Sequence, residues 1–251
     1  MLRSGVRPTQ GVATLGVTVS LSAFETRALV LDIEGTTTPV EFVYQVLFPY
    51  ARAHASAYLE REGQSAACRA AIAQLRDESR VAGDVSPARI LEYFYSLMDR
   101  DRKSPGLKAL QGLIWQDGYE SGELRGQVYP DVAPAFERWR ASGLDLYIYS
   151  SGSVLAQQLL FASTNAGDLT KFLKGYFDTE VGSKTSPDSY RAISERVRVA
   201  PSETLFVSDV ARELDAARTS GMRTVLCIRA GDLPSGSDSH PSVRGFDEIV
   251  E

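Results

Sequence analysis

Cysteine and histidine are scarce in this chain, with two of each among 251 residues. Cys68 and Cys227 give neither a metal-ligand spacing nor a disulfide framework, so both read as ordinary buried thiols, one in a helix-like and one in a strand-like context. His54 falls in a helical stretch and His240 in a turn-rich one, and neither has a partner nearby in sequence. Positive charge is also short: 27 Lys and Arg against 32 Asp and Glu leave a net charge of −5. That balance gives no electrostatic reason for binding nucleic acid or an anionic membrane. No apolar run approaches the ~20 residues needed to span a bilayer, and no internal repeat is evident. Residues 1–26 carry no acid before Glu25 and no apolar core of the kind a secretory signal needs. Arg3, Arg7 and several Ser and Thr give them the faint composition of a transit peptide, without a charged amphipathic face. The expectation is a disordered extension or an upstream start codon, on a protein of the cytoplasm.

The chemistry gathers elsewhere, first at Ala28-Leu29-Val30-Leu31-Asp32-Ile33-Glu34-Gly35-Thr36-Thr37. A continuous apolar run reads as a strand buried on both faces, as in parallel sheets covered by helices. Ligands of such sheets bind outside the carboxyl ends of the strands, where Asp32 and Glu34 fall. Gly35 lets the backbone turn sharply and bring its amides near an anion. A carboxylate held there can attack a phosphoryl group or ligate Mg2+. It can equally begin an ordinary strand-to-turn transition, with Glu34 solvated, and this segment alone does not separate the readings.

Three further stations follow. Leu144–Tyr149 runs into Ser150-Ser151-Gly152-Ser153, Thr204–Ser208 runs into Asp209, and Lys184 sits between them in a turn-rich segment before a predicted helix. The segment from about Phe42 to Glu123 has helical periodicity and little strand character: Phe42, Val43, Val46, Leu47 and Tyr50, then Ile90, Tyr93, Phe94 and Leu97, then Leu107, Leu110, Ile114 and Trp115. Ser86-Pro87 and Ser104-Pro105 each pair a predicted N-cap with a first-turn proline. The expected organisation is a core of residues 27–41 and 124–251 interrupted by a helical cap over 42–123. Beyond the cap, helices are expected at Val132–Ala141, Val154–Phe161, Pro187–Arg196 and Arg212–Ser220, with a last strand at Arg223–Ile228.

The ordered set of a nucleophile-type Asp, a hydroxyl-rich strand end, a Lys and a further Asp resembles the haloacid-dehalogenase-like phosphohydrolases. Within them, DIEGTTTPVEFVYQVLFPYA, DRKSPGLKALQGLIWQDGYESGEL, YIYSSGSVLAQQLLF and LFVSDVAREL resemble the enolase-phosphatases of the methionine salvage pathway. The likeness runs from about Arg27 to the C-terminus. It implies an α/β fold, a doubly wound parallel sheet with an inserted helical cap domain. It also implies one Mg2+ per subunit, held by Asp32, Asp209 and the Glu34 carbonyl.

On this resemblance Asp32 attacks phosphorus, and Glu34 protonates the leaving alkoxide and later takes a proton from water. Thr36, Ser150 and Ser151 donate to the phosphoryl oxygens, with Thr37 as ambiguous as Thr36; each hydroxyl can equally be a simple cap. Lys184 supplies fixed positive charge, and Glu213, one helical turn past Asp209, supports the metal shell. Lys103 in the cap is the candidate contact to substrate from above, or a solvated lysine. The implied substrate is 2,3-diketo-5-methylthiopentyl 1-phosphate, enolised and then dephosphorylated to acireductone by a chain expected to be monomeric. Rival readings are a haloacid dehalogenase, a general sugar or nucleotide phosphatase, and a binding module without catalysis.

Overall fold

The computed structural model describes residues 18–22, 25–79, 86–100, 102, 104–231 and 239–251. Lys103 lies outside them, as do residues 1–17. In chain order the strands are β1 (Val19–Ser20), β2 (Ala28–Leu31), β3 (Asp145–Tyr149), β4 (Leu173–Phe177), β5 (Thr204–Ser208), β6 (Arg223–Cys227), β7 (Ser242–Val243) and β8 (Ile249–Val250). Six of them make one sheet in the order β4-β3-β2-β5-β6-β7, every pair parallel. The chain winds outward from β2 through β3 to β4, then returns to the other side of β2 for β5, β6 and β7. The strand order therefore reverses at β2, and a crevice opens at its carboxyl end.

Every residue of β2 is buried, because alternate side chains feed two cores. Leu29 and Leu31 join Leu146, Ile148, Leu205 and Val207 on one face, while Ala28 and Val30 join Tyr147, Tyr149 and Phe206 on the other. Helices α6 (Val132–Ala141), α7 (Val154–Ala162), α8 (Pro187–Val197) and α9 (Ala211–Thr219) alternate with the later strands. Register then sets the height of each polar residue. Leu31 lies level with Ile148 and Val207, so Asp32, Tyr149 and Ser208 come next on adjacent strands. Ser150 and Asp209 follow one step beyond. The α/β doubly wound sheet is as the sequence implied.

Between β2 and α6 all the helical structure of the described residues precedes α6 in one block. It comprises α1 (Val40–Phe42), a π-helical turn over Val43–Leu47, α2 (Phe48–Glu62), α3 (Ala66–Ser79), α4 (Pro87–Asp99) and α5 (Pro105–Glu120). Gly106 of α5 lies so close to α3 that a Cβ would stand 2.7 Å from the Leu75 nitrogen. The Trp115 indole reaches from α5 to donate to the Leu47 carbonyl at 2.8 Å, satisfying an acceptor at the end of the π turn. Its ring stacks on Phe48 with centroids 6.3 Å apart. No described helix is long and apolar enough to cross a membrane.

The structure corrects several expectations. Ser104 caps α5 by accepting from the Leu107 amide at 3.1 Å, but Ser86 makes no side-chain cap bond to α4. Residues 18–22 are part of the fold rather than a disordered extension: β1 pairs with β8, and Val19 and Leu21 are buried. Strand β4 escaped the sequence reading because Lys174 and Gly175 interrupt its apolar run at a sheet edge. Helices α6 to α9 fall within a residue or two of their expected bounds.

Replacing Trp115 tests how the helical layer is tied together. Trp115→Phe should keep the ring stack and lose the bond to Leu47, lowering unfolding free energy by ~1 kcal/mol. Trp115→Ala should cost ~3–5 kcal/mol by denaturant melts. An unchanged unfolding free energy in Trp115→Phe would show that the indole N–H contributes nothing.

Candidate active site

The turn after β2 is built by its own hydroxyls and carbonyls. The amides of Thr36, Thr37 and Thr38 all point to the Ile33 carbonyl, at 3.2, 2.9 and 2.8 Å. Thr37 Oγ1 donates to the Asp32 carbonyl at 3.0 Å, so this hydroxyl closes the turn. Thr36 Oγ1 is buried with no hydrogen-bond partner among the described residues. Gly35 has φ +71°, and a Cβ there would overlap the Asp209 carboxylate. Glycine is required on both counts, because the backbone is left-handed and the space is already filled.

Asp32 is 5 % exposed and held on several sides. Its Oδ1 accepts from the Ile33 amide at 2.8 Å and from Lys184 Nζ at 2.5 Å, and Ser208 Oγ lies 3.3 Å from Oδ2. Lys184 also meets Glu213 Oε2 at 2.7 Å. Tyr190 locks the lysine's backbone by donating to its carbonyl at 2.6 Å. Burial opposes the Lys184 ammonium, but the Asp32 and Glu213 charges outweigh it and raise its pKa. The lysine is therefore a permanent cation.

Acids outnumber that cation. Asp32, Asp209 and Glu213 make three carboxylates against one ammonium. Burial, and next the charge of Asp32, push Asp209 up to about 7. Burial and Asp32 also raise Glu213, against the pull of Lys184. Asp209 Oδ1 is buried without a hydrogen-bond partner among the described residues. An uncompensated carboxylate beside a second one is the environment a divalent cation relieves. No three His, Cys, Asp or Glu side chains converge as a ready cage among the described residues. A cation here would rest on Asp32, Asp209, a backbone carbonyl and water, the sparse oxygen set that Mg2+ accepts.

Ser150 and Ser151 flank this cluster on the β3 side. Ser150 is 3 % exposed, and its Oγ accepts from the Gly152 amide at 3.1 Å. Gln157 pins the loop from below, its Nε2 donating to the Gly152 and Phe177 carbonyls at 2.9 Å each. Ser153 caps α7, accepting from Ala156 at 3.3 Å. A cleft opens beside the serines, and Glu34 lines it with them. Its other wall is apolar and comes from the helical block: Val43, Tyr44, Leu47, Phe48, Met98 and Leu107. Asp32, Lys184, Asp209 and Glu213 thus form a charged nest, and Glu34, Ser150 and Ser151 stand in the adjoining cleft. The histidines lie elsewhere: His54 stacks on Tyr50 at 3.9 Å, and His240 joins Thr224 at 2.8 Å.

Two residues of the site were not singled out from the sequence. Ser208, last in its apolar run, bridges Asp32 and Glu213, standing 3.2 Å from Glu213 Oε2. Arg229 donates twice to the Thr36 carbonyl, at 2.9 and 2.6 Å, and to Asp131 at 2.6 Å. Its guanidinium lies over the Tyr129 and Phe246 rings, 4.3 and 4.6 Å from their centroids. Its place just beyond the carboxyl end of β6 was the available signal.

A family model described as haloacid dehalogenase-like hydrolase matches residues 26–221. Enolase-phosphatase E1 of Enterobacter sp. (strain 638) is 48 % identical over 223 residues, covering 89 % of this chain and 96 % of the relative. The protein of the same name from Synechococcus elongatus is 47 % identical over 230 residues, covering 88 % and 96 %. Among solved structures, the UTR4 protein of Saccharomyces cerevisiae superimposes with TM-score 0.74 at 31 % identity, covering 88 % of this chain and 99 % of its own. CbbY of Rhodobacter sphaeroides, in complex with phosphate, shares the fold at TM-score 0.53 and 16 % identity, covering 88 % and 95 %. With identity near one residue in two along most of its length, this chain belongs to the haloacid dehalogenase-like hydrolases and, among them, to the enolase-phosphatases.

Proposed function

We propose that the chain enolises 2,3-diketo-5-methylthiopentyl 1-phosphate and then hydrolyses the phosphate ester to give acireductone, as a Mg2+-dependent enzyme of methionine salvage. The observation that carries this reading is the juxtaposition of the charged nest with an apolar cleft entered past Glu34 and the serines. A phosphate end suits the nest, and a methylthio tail suits a wall of Val43, Leu47, Phe48 and Met98. A general sugar phosphatase has no use for so apolar a wall.

Asp32 attacks phosphorus and forms an aspartyl-phosphate as the ester oxygen leaves with a proton from Glu34. Water then attacks the phosphoryl-Asp32, giving its proton to Glu34, and orthophosphate departs with the carboxylate restored. Lys184 pairs with Asp32 and aims it, since the ion pair is buried and the lysine anchored through Tyr190. Ser150, Ser151 and Thr36 supply donors to the phosphoryl oxygens, and the unpaired Thr36 hydroxyl is free to do so. Asp32, Asp209 and the Glu34 carbonyl would hold Mg2+. When bound, the ion neutralises phosphoryl charge and polarises a substrate carbonyl.

Asp32→Asn should remain folded and lose orthophosphate release by on the order of 10⁴-fold or more. Enol absorbance from the diketone should still develop in that variant. Phosphate release near the wild-type rate would refute Asp32 as the nucleophile.

Cation binding should follow the ionisation of Asp209. Unfolded, this carboxyl titrates near 3.8, and in the metal-free fold near 7. The folded state thus holds an extra proton between those values, so this group makes the metal-free protein less stable as pH rises from about 4 to about 7. Mg2+ competes with that proton. It should raise the melting temperature clearly at pH 8 and little at pH 5.5 in differential scanning fluorimetry. No shift at pH 8 would contradict the assignment.

A further inference from the structure

One polar group in the cleft has no task in the chemistry above. Gln111 lies on α5 on the same face as Leu107, Lys108 and Trp115, all of which line the cleft with it. It is only 4 % exposed, yet neither atom of its amide is among the buried polar atoms left without a partner, so what surface the amide keeps meets the solvent of the cleft. The surface it keeps opens into the cleft shared with Glu34, Ser150 and Ser151.

Several other polar groups of that lining are engaged. The Gln157 amide nitrogen holds the Gly152 and Phe177 carbonyls, Lys108 reaches Thr179 Oγ1 at 3.1 Å, and the Trp115 indole is bound to Leu47. An amide that meets water in a cleft exchanges those bonds for a ligand's, and a ligand that cannot return them loses affinity. Glu34, Arg102 and Lys108 already bring charge to the lining, so a neutral amide adds direction without adding charge.

We infer that Gln111 is the specificity residue for the substrate's vicinal carbonyls, an inference that rests on the enolase-phosphatase reading above. Carbonyl oxygens only accept, and the two N–H groups of Nε2 donate to them. Enolisation removes a proton from the phosphate-bearing carbon, forms the carbon–carbon double bond and adds a proton to the adjacent carbonyl oxygen. Gln111 exchanges no proton in that step. Its Oε1 accepts from the new hydroxyl, so the amide serves both the ketone and the enol. A phosphate ester without carbonyls displaces water from the amide and returns no hydrogen bond, which disfavours its binding.

The test compares the diketo phosphate with 5-methylthiopentyl phosphate, the same chain without carbonyls, in wild type, Gln111→Met and Gln111→Glu. The readout is the ratio of the two kcat/KM values for phosphate release, with melting temperature measured alongside. Methionine keeps the length and apolar fit without the donors, and glutamate keeps the shape and acceptor without the donors. The ratio should fall by roughly tenfold to a hundredfold in both. Should Gln111→Met fail to fold, Gln111→Glu carries the comparison. A parallel loss on both esters would make Gln111 a packing residue, and an unchanged ratio would remove it from recognition; either result overturns the inference alone. A wild type that forms no enol and shows no preference for the diketone overturns the underlying reading, and this inference with it.

Discussion

A buried imbalance of charge organises this molecule. Lys184 is the lone ammonium among Asp32, Asp209 and Glu213, and all four groups are largely removed from water at the carboxyl edge of the sheet. Gathering carboxylates in low dielectric is costly unless something compensates them. One lysine meets part of that need, and the raised pKa values of Asp209 and Glu213 record the remainder. On the proposed reading, a divalent cation and a phosphate complete that charge. A well-neutralised cluster would hold its shape and bind nothing.

The rest of the fold serves to keep that cluster in place. Parallel pairing of β2 with β3 and β5 sets Asp32, Ser150 and Asp209 within one residue step of each other in height. Gly35 gives up its side chain so that Asp209 can approach, and Thr37 spends its hydroxyl on the turn. Arg229, bound between aromatic rings, grips the Thr36 carbonyl on the segment leading out to the helices. The amide of Tyr129, on the segment returning from them, bonds the Thr37 carbonyl at 3.0 Å. Both crossings into the helical block are therefore fastened to the turn after β2, and a shift of that block would be felt there.

The sequence made the charged nest legible because each member sits at a discontinuity. Asp32 and Asp209 end apolar runs, Ser150 does the same, and Lys184 precedes a proline-started helix. The main helices were legible through their spacing of three and four. What stayed hidden depends on contacts distant in sequence. Strand β4 is recognisable only beside β3, and β1 only once β8 pairs with it. Thr36 and Thr37 look alike in the sequence, and only the turn separates an idle hydroxyl from a structural one. Arg229 and Gln111 were not singled out from the sequence, and only the fold brings them to the turn and the cleft. Lys103, expected above the substrate, lies outside the described residues.

On the proposed reading, one site carries out two reactions in order. A stopped-flow time course of the wild-type enzyme with Mg2+ and the diketo phosphate, recording enol absorbance and orthophosphate together, tests it most directly. The enol signal should rise first, with phosphate following after a lag set by enol formation. Phosphate released without a preceding enol would contradict the account and leave a phosphatase with a different substrate.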